Sequence, residues 1–196
     1  MLSRSFYIQP DVVSLARDLL GKRLCTRIDG KQASGIITET EAYAGTTDKA
    51  SHAYGGRRTR RTEIMYGEGG TAYVYLCYGM HSLFNVVTNI VGVPHAVLIR
   101  GIQPCAGIEI MMQRRKKVKK GKEFSNGPGK IAEALGIHFS HSGLSLTQTT
   151  SRISAPAIWI EEAENKTIPN EIVITSRIGV DYAGQDAKLP YRFLLK

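Results

Sequence analysis

The stretch KRLCTRI-DG-KQASGIITETEAY, residues 22–43, constrains the fold more than any other part of this chain. Two runs rich in branched side chains flank Asp29-Gly30, a pair suited to the positive φ angles of a two-residue hairpin turn. The spacing therefore predicts a β-hairpin. Further strands are predicted at residues 72–77, 83–89 and 96–102, with strand-like pieces at 157–161, 172–175 and 192–195. Helical patterns are fewer. QPDVVSLARDLLG has Pro10 near its start, Gly21 just past its end and one apolar face from Val12, Leu15, Ala16, Leu19 and Leu20. TDKASHAYGG reads as a short helix, and CAGIEIMMQRRKK and PGKIAEALGI as two more. Strands fall in sequence-adjacent runs and do not alternate regularly with helices. The expected fold is α+β: one domain over residues 1–196, with a curved, mainly antiparallel sheet flanked by helices and a protruding β-hairpin.

Charge narrows the function classes. The 196 residues carry 26 Lys+Arg against 17 Asp+Glu, a formal net charge of +9, which favours a polyanionic partner. One basic cluster is Arg57, Arg58, Arg60 and Arg61; another is RRKKVKKGK at residues 114–122, which a solvated helix end also explains. No apolar run approaches the length of a membrane span, and the N-terminus lacks a secretory pattern. Three scattered cysteines, Cys25, Cys77 and Cys105, suit a reducing, cytoplasmic location.

Three segments carry candidate chemistry. In GIITETEAYAG an extended chain puts Ile37, Glu39, Glu41 and Tyr43 on one face. The acids there could be solvated edge residues, metal ligands with His52, or an acid/base pair tuned by burial; zinc-type histidine spacings are absent. SNGPGKIAEALGI is either an ordinary Pro-initiated helix with a Gly cap or an anion-binding helix start. In GGTAYVYLCYGMH, Tyr73, Tyr75 and Cys77 share one face, while Tyr78 falls out of phase beside Gly79. Those tyrosines are either core packing with one exposed ring or, beside the arginine loop, parts of a device for extruding a base from duplex DNA.

The order and spacing of E-T-E-A-Y, S-H-A-x-G-G-R and Y-V-Y-x-x-Y-G-M carry a resemblance that runs from QPDVVSLARDLLGK to RIGVDYAGQDAKLPYRF. The chain resembles the alkyladenine (3-methyladenine) DNA glycosylase family. That resemblance implies a monofunctional enzyme that flips alkylated or deaminated purines out of duplex DNA and hydrolyses the N-glycosidic bond. By position it implies Glu41 as the general base for the attacking water and Arg100 as its partner. It places Tyr43, His52, Tyr75 and Asn85 around the base, Tyr78 in the vacated stack and Arg57 on backbone phosphate. It further implies no cofactor, no catalytic metal and no lyase step, a monomer, and double-stranded DNA containing damaged purines as the partner. Two other classes make different predictions. A non-enzymatic nucleic-acid-binding module would bind without releasing a base, and a hydrolase of small nucleosides would show weak salt dependence.

Overall fold

In a computed structural model, residues 1–116, 126–148, 152, 154–163 and 171–196 are described. The second basic cluster therefore lies mostly outside the described residues. A short helix α1 (Arg4–Tyr7) leads into α2 (Val12–Asp18), and the hairpin follows as β1 (Arg23–Ile28) and β2 (Lys31–Tyr43). Asp29 and Gly30 take φ of 54° and 69°, as such a turn requires. The second hairpin is β3 (Thr71–Cys77) and β4 (His81–Thr88), followed by β5 (His95–Ala106), α3 (Ile108–Arg114) and α4 (Pro128–Leu135). Strands β6 (Ala157–Glu161), β7 (Ile172–Thr175) and β8 (Arg192–Leu195) complete the chain. Every strand pairing among the described residues is antiparallel. The order is β3-β4-β5-β2-β1-β6, and β8 joins the far end of β2 to β7. The fold is α+β, as the run of adjacent strands predicts.

The helix ends follow local chemistry. Asp11 caps α2, its Oδ1 accepting from Val13 N at 2.9 Å and Ser14 N at 3.2 Å. That helix stops at Asp18, short of the predicted Gly21, because the chain turns to join the sheet, where Gly21 N donates to Ile37 O at 2.8 Å. Helix α4 begins on Pro128 and ends with Gly136 at φ 75°. There Ile137 N bonds Ala132 O and Gly136 N bonds Glu133 O. The helix predicted within residues 47–56 does not form. Only 3₁₀ turns are helical there, the end of one at Gly45–Thr47 and another at Tyr54–Gly56 with Gly55 at φ 66°, and the Asp48 carboxylate takes the amides of Ala44 and Ala50 into a turn.

The sheet has two different faces. One packs on the helices: Ala72, Val74, Phe84, Val86, Val97 and Ile99 join Leu15 of α2 and Ile131 of α4 in the principal core. Residues one step out of phase, Tyr73, Val87 and Ala96, instead form a second cluster with Ala53, Met65 and Tyr66. That second face lies under the irregular segment between β2 and β3, and it carries the site.

Candidate active site

The site begins with a fault in the ladder. Along β2 and β5, Ile37 pairs with Ile102, Glu39 with Gly101 and Thr40 with Ile99, so the register shifts on either side of Glu39 and Arg100 has no opposite number. Such bulges re-aim side chains. Before the shift Ala33 and Ile37 enter the principal core; after it Ala42 does, and Thr40 Oγ1 bonds Ala16 O of α2 at 2.7 Å. Ile37 therefore does not share a face with Glu41 and Tyr43, contrary to simple alternation. Gly101 fits closely at this point: a Cβ there would lie 3.0 Å from both Glu39 Cβ and Thr38 Oγ1, and one of those side chains would have to shift.

Beyond the bulge one row of the sheet holds Glu41, Leu98, Asn85 and Tyr73, each opposite the next on β2, β5, β4 and β3. With strands about 4.8 Å apart, that puts an acid and an amide on the same face about 10 Å apart. Glu41 is fully buried. Its Oε2 accepts from Tyr43 OH at 2.8 Å and Arg100 Nη1 at 3.4 Å, and its Oε1 accepts from Ile178 N at 2.8 Å. Burial raises its carboxyl above the ordinary range, and Arg100, the Ile178 amide and the Tyr43 hydroxyl oppose that rise only in part. Arg100 is shared with Glu39, whose Oε1 accepts from Arg100 Nε at 3.0 Å and Arg192 Nε at 2.7 Å. Two acids thus fix one guanidinium.

Above this layer lies a cavity of about 230 Å³ lined by Tyr43, His52, Tyr75, Asn85 and Arg100, with Tyr78 at its lip. Glu41 sits behind the wall and reaches the cavity through its hydrogen-bond partners. His52 Nδ1 lies 2.8 Å from Tyr73 OH, and its ring meets Tyr75 edge-on at 4.7 Å between centroids. Burial, then the charges of Arg61 and Arg57, lower the His52 pKa to about 4, so the imidazole is neutral at pH 7. The Asn85 amide donates to Tyr73 O at 3.2 Å and Leu83 O at 3.4 Å, which fixes its orientation.

Alternation ends at Cys77. Tyr78 and Gly79 take φ of 51° and 71°, and Met80 N closes the turn on Cys77 O at 3.1 Å. The turn accounts for the phase break: Tyr78 sits on the hairpin tip, 89% exposed. Arg57 is also exposed. Its neighbours are unequal, because Arg58 is committed to Glu63 through two bonds of 2.8 and 3.1 Å, whereas Arg61 lies 6.0 Å from the Tyr75 ring centre. His138 and His141 cap a surface 3₁₀ turn away from the cavity.

The opposite wall comes from a segment that the local patterns of the sequence did not mark as part of the site. Ile178, Gly179, Val180 and Tyr182 supply it, although they follow the sheet residues by more than seventy positions. Arg177 anchors this loop. Its Nη2 donates to Asp48 Oδ1 at 2.9 Å and Asp186 O at 3.0 Å, its Nη1 donates to Asp48 Oδ2 and to Ala42 O at 2.9 Å, and it lies 4.9 Å from the Tyr43 ring centre. A signal lay in RIGVDYAG, whose arginine finds its carboxylate partner, Asp48, 129 positions away. Among the described residues there is no cluster of three metal-ligating side chains, and no helix is long and apolar enough to cross a membrane.

Fold and cavity together describe an α+β protein with an aromatic cleft over a buried, arginine-held acid. Comparison with known families makes the assignment more specific. The methylpurine-DNA glycosylase (MPG) family model matches residues 5–196, and the chain belongs to that family of DNA glycosylases. Relatives agree over nearly their full length. Proteins named "Putative 3-methyladenine DNA glycosylase" from Chlamydia felis and Chlamydia pneumoniae are 51% and 47% identical across all of this chain, covering 96% and 95% of their own lengths. One of the same name from Bacillus thuringiensis is 46% identical over 96% of this chain and 92% of its own.

Proposed function

We propose that this glycosylase extrudes an alkylated or deaminated purine from duplex DNA into the aromatic cavity and hydrolyses its bond to the sugar without a lyase step. The observation that carries the reading is Glu41, a fully buried carboxylate held by Tyr43, the Ile178 amide and Arg100 just behind the cavity wall. A carboxyl raised by burial is a better proton acceptor than an ordinary one. Glu41 takes a proton from water as the water oxygen attacks C1′, and the electrons of the C1′–N bond leave with the base. The sugar gains oxocarbenium character, which the nearby negative charge stabilises. Arg100 holds both carboxylate and water.

Tyr43, His52 and Tyr75 hold the flat ring. A neutral His52 suits a base that already carries positive charge, such as 7-methylguanine. Asn85, fixed by its two carbonyls, stands where the 2-amino group of normal guanine would press. Tyr78 fills the gap left in the stack, and Arg57 takes a phosphate. No lysine lines the cavity among the described residues, which supports hydrolysis without a Schiff base.

The test uses duplexes carrying one 7-methylguanine, hypoxanthine or ethenoadenine, with the unsubstituted protein and Glu41→Gln in parallel. Released free base and abasic sites are the readout. The unsubstituted protein should release base, and Glu41→Gln should bind the lesion duplex within a few-fold while excising none. Retained excision would remove Glu41 from the mechanism; tight binding with no release by either protein would make this a binding protein only.

A further inference from the structure

The groups assigned above to the purine come from the sheet face and from the segment that covers it. The mouth of the cavity has a second aromatic rim, on the C-terminal loop. Tyr182 lines the cavity and yet is 70% exposed. Its hydroxyl is already used: it donates to Ala50 O at 3.0 Å, and burial of that tip raises the phenol above its ordinary range. The tip of the side chain is tied down, and the ring is what faces solvent. Among the described residues no aromatic ring or guanidinium stacks on it. The loop beneath is held by the buried Arg177–Asp48 pair, so the ring is fixed in place before any ligand arrives.

We propose that Tyr182 is a contact residue for the extruded nucleotide, its ring packing against the deoxyribose at the cavity mouth. This rests on the glycosylase reading. A purine seated among Tyr43, His52, Tyr75 and Asn85 occupies the deep end, and its sugar, still joined to the backbone, must lie at the mouth. Two exposed rings stand there, and Tyr78 on the hairpin tip is already assigned to the base stack. A ring anchored at its hydroxyl loses little further freedom on contact, so nearly all of the packing is kept as affinity.

The experiment measures fluorescence anisotropy in the non-excising Glu41→Gln background. It compares a duplex holding one hypoxanthine with the matched undamaged duplex, for Tyr182→Ala and Tyr182→Phe. Undamaged binding is set by phosphate contacts and should not move. Tyr182→Ala should lower the preference for the lesion duplex roughly tenfold, within the range of one aromatic contact to a nucleotide. Tyr182→Phe, which keeps the ring and loses only the bond to Ala50, should retain most of it. An unchanged preference in Tyr182→Ala, equal losses on both duplexes, or equal losses from Ala and Phe would each overturn the proposal. Base release by the unsubstituted protein separates the two levels. If release occurs and Tyr182→Ala behaves normally, only the Tyr182 role falls; if no damaged duplex releases base, the glycosylase reading falls with it.

Discussion

Replacing Asp48 by Asn should cost this protein about a third of a typical domain's stability. Asp48 and Arg177 are 3% and 5% exposed, and they lie 129 positions apart in sequence. Each Asp48 oxygen accepts twice, once from an Arg177 nitrogen and once from a backbone amide, of Ala44 or Ala50. An asparagine keeps one of those oxygens and presents an NH₂ group where the other stood. That NH₂ would face two donors, and the guanidinium would keep its charge with no counter-charge in contact. Removing one partner of a buried pair costs about 3–5 kcal/mol, because the remaining ion stays desolvated.

For a chain of this length that loss corresponds to a fall in Tm of roughly 6–20 °C. Urea unfolding followed by circular dichroism at pH 7 gives the free energy directly, with an unchanged slope showing that the unfolded state is the same. Asp48→Leu combined with Arg177→Met should recover part of the loss, since an apolar pair leaves no stranded charge, though the two backbone amides would still lack their acceptor. A loss below about 1 kcal/mol for Asp48→Asn would refute the reasoning: that is the range of solvated surface pairs, and the loop carrying Ile178 would then need another anchor.

Two further predictions separate local chemistry from folding. Tyr78→Asn should leave urea stability within about 0.5 kcal/mol, because the ring is exposed and asparagine tolerates positive φ, yet it should weaken binding to a lesion duplex more than to single strands; equal losses on both would argue against a role in the stack. His52 should titrate near pH 4 by imidazole NMR, with no inflection between pH 5 and 8. Because its folded value lies below the unfolded value of about 6.5, the unfolded chain binds more protons between those limits, and stability should fall as the pH falls from about 6.5 towards 4. An inflection between pH 6 and 7 would show that the ring is solvated.

Features encoded over a few residues were legible in the sequence. Asp29-Gly30 specified its hairpin, Pro128 and Gly136 bounded their helix, and alternation placed Tyr73 and Tyr75 on one face. The segment at residues 47–56 misled: it read as a short helix, while Gly55, Gly56 and a carboxylate that binds nearby backbone amides favoured turns. The Arg177 anchor was not legible, since nothing near residue 177 in sequence hints that its acid lies at residue 48. Tyr182 shared that fate, since nothing in its glycine-bearing loop marks it as facing the cavity.

The bulge was the least legible feature and the one on which the site depends. Simple alternation groups Glu41 with Ile37, which belongs to the principal core, and a carboxylate placed there would meet α2 and have neither Arg100 nor an amide to hold it. The register shift reverses which positions of β2 and β5 face the helices. On β5 the principal core takes Ile102 on one side of the shift and Ile99 and Val97 on the other. The same shift leaves Arg100 unpaired in the ladder and free to reach both acids, and Gly101 allows the two strands to approach closely enough for that to happen. A single irregularity thus turns an apolar strand pattern into a buried acid with its cation, aligned in one row with Asn85 and Tyr73. Because it is a property of two strands some sixty residues apart, no reading of either strand alone could have found it.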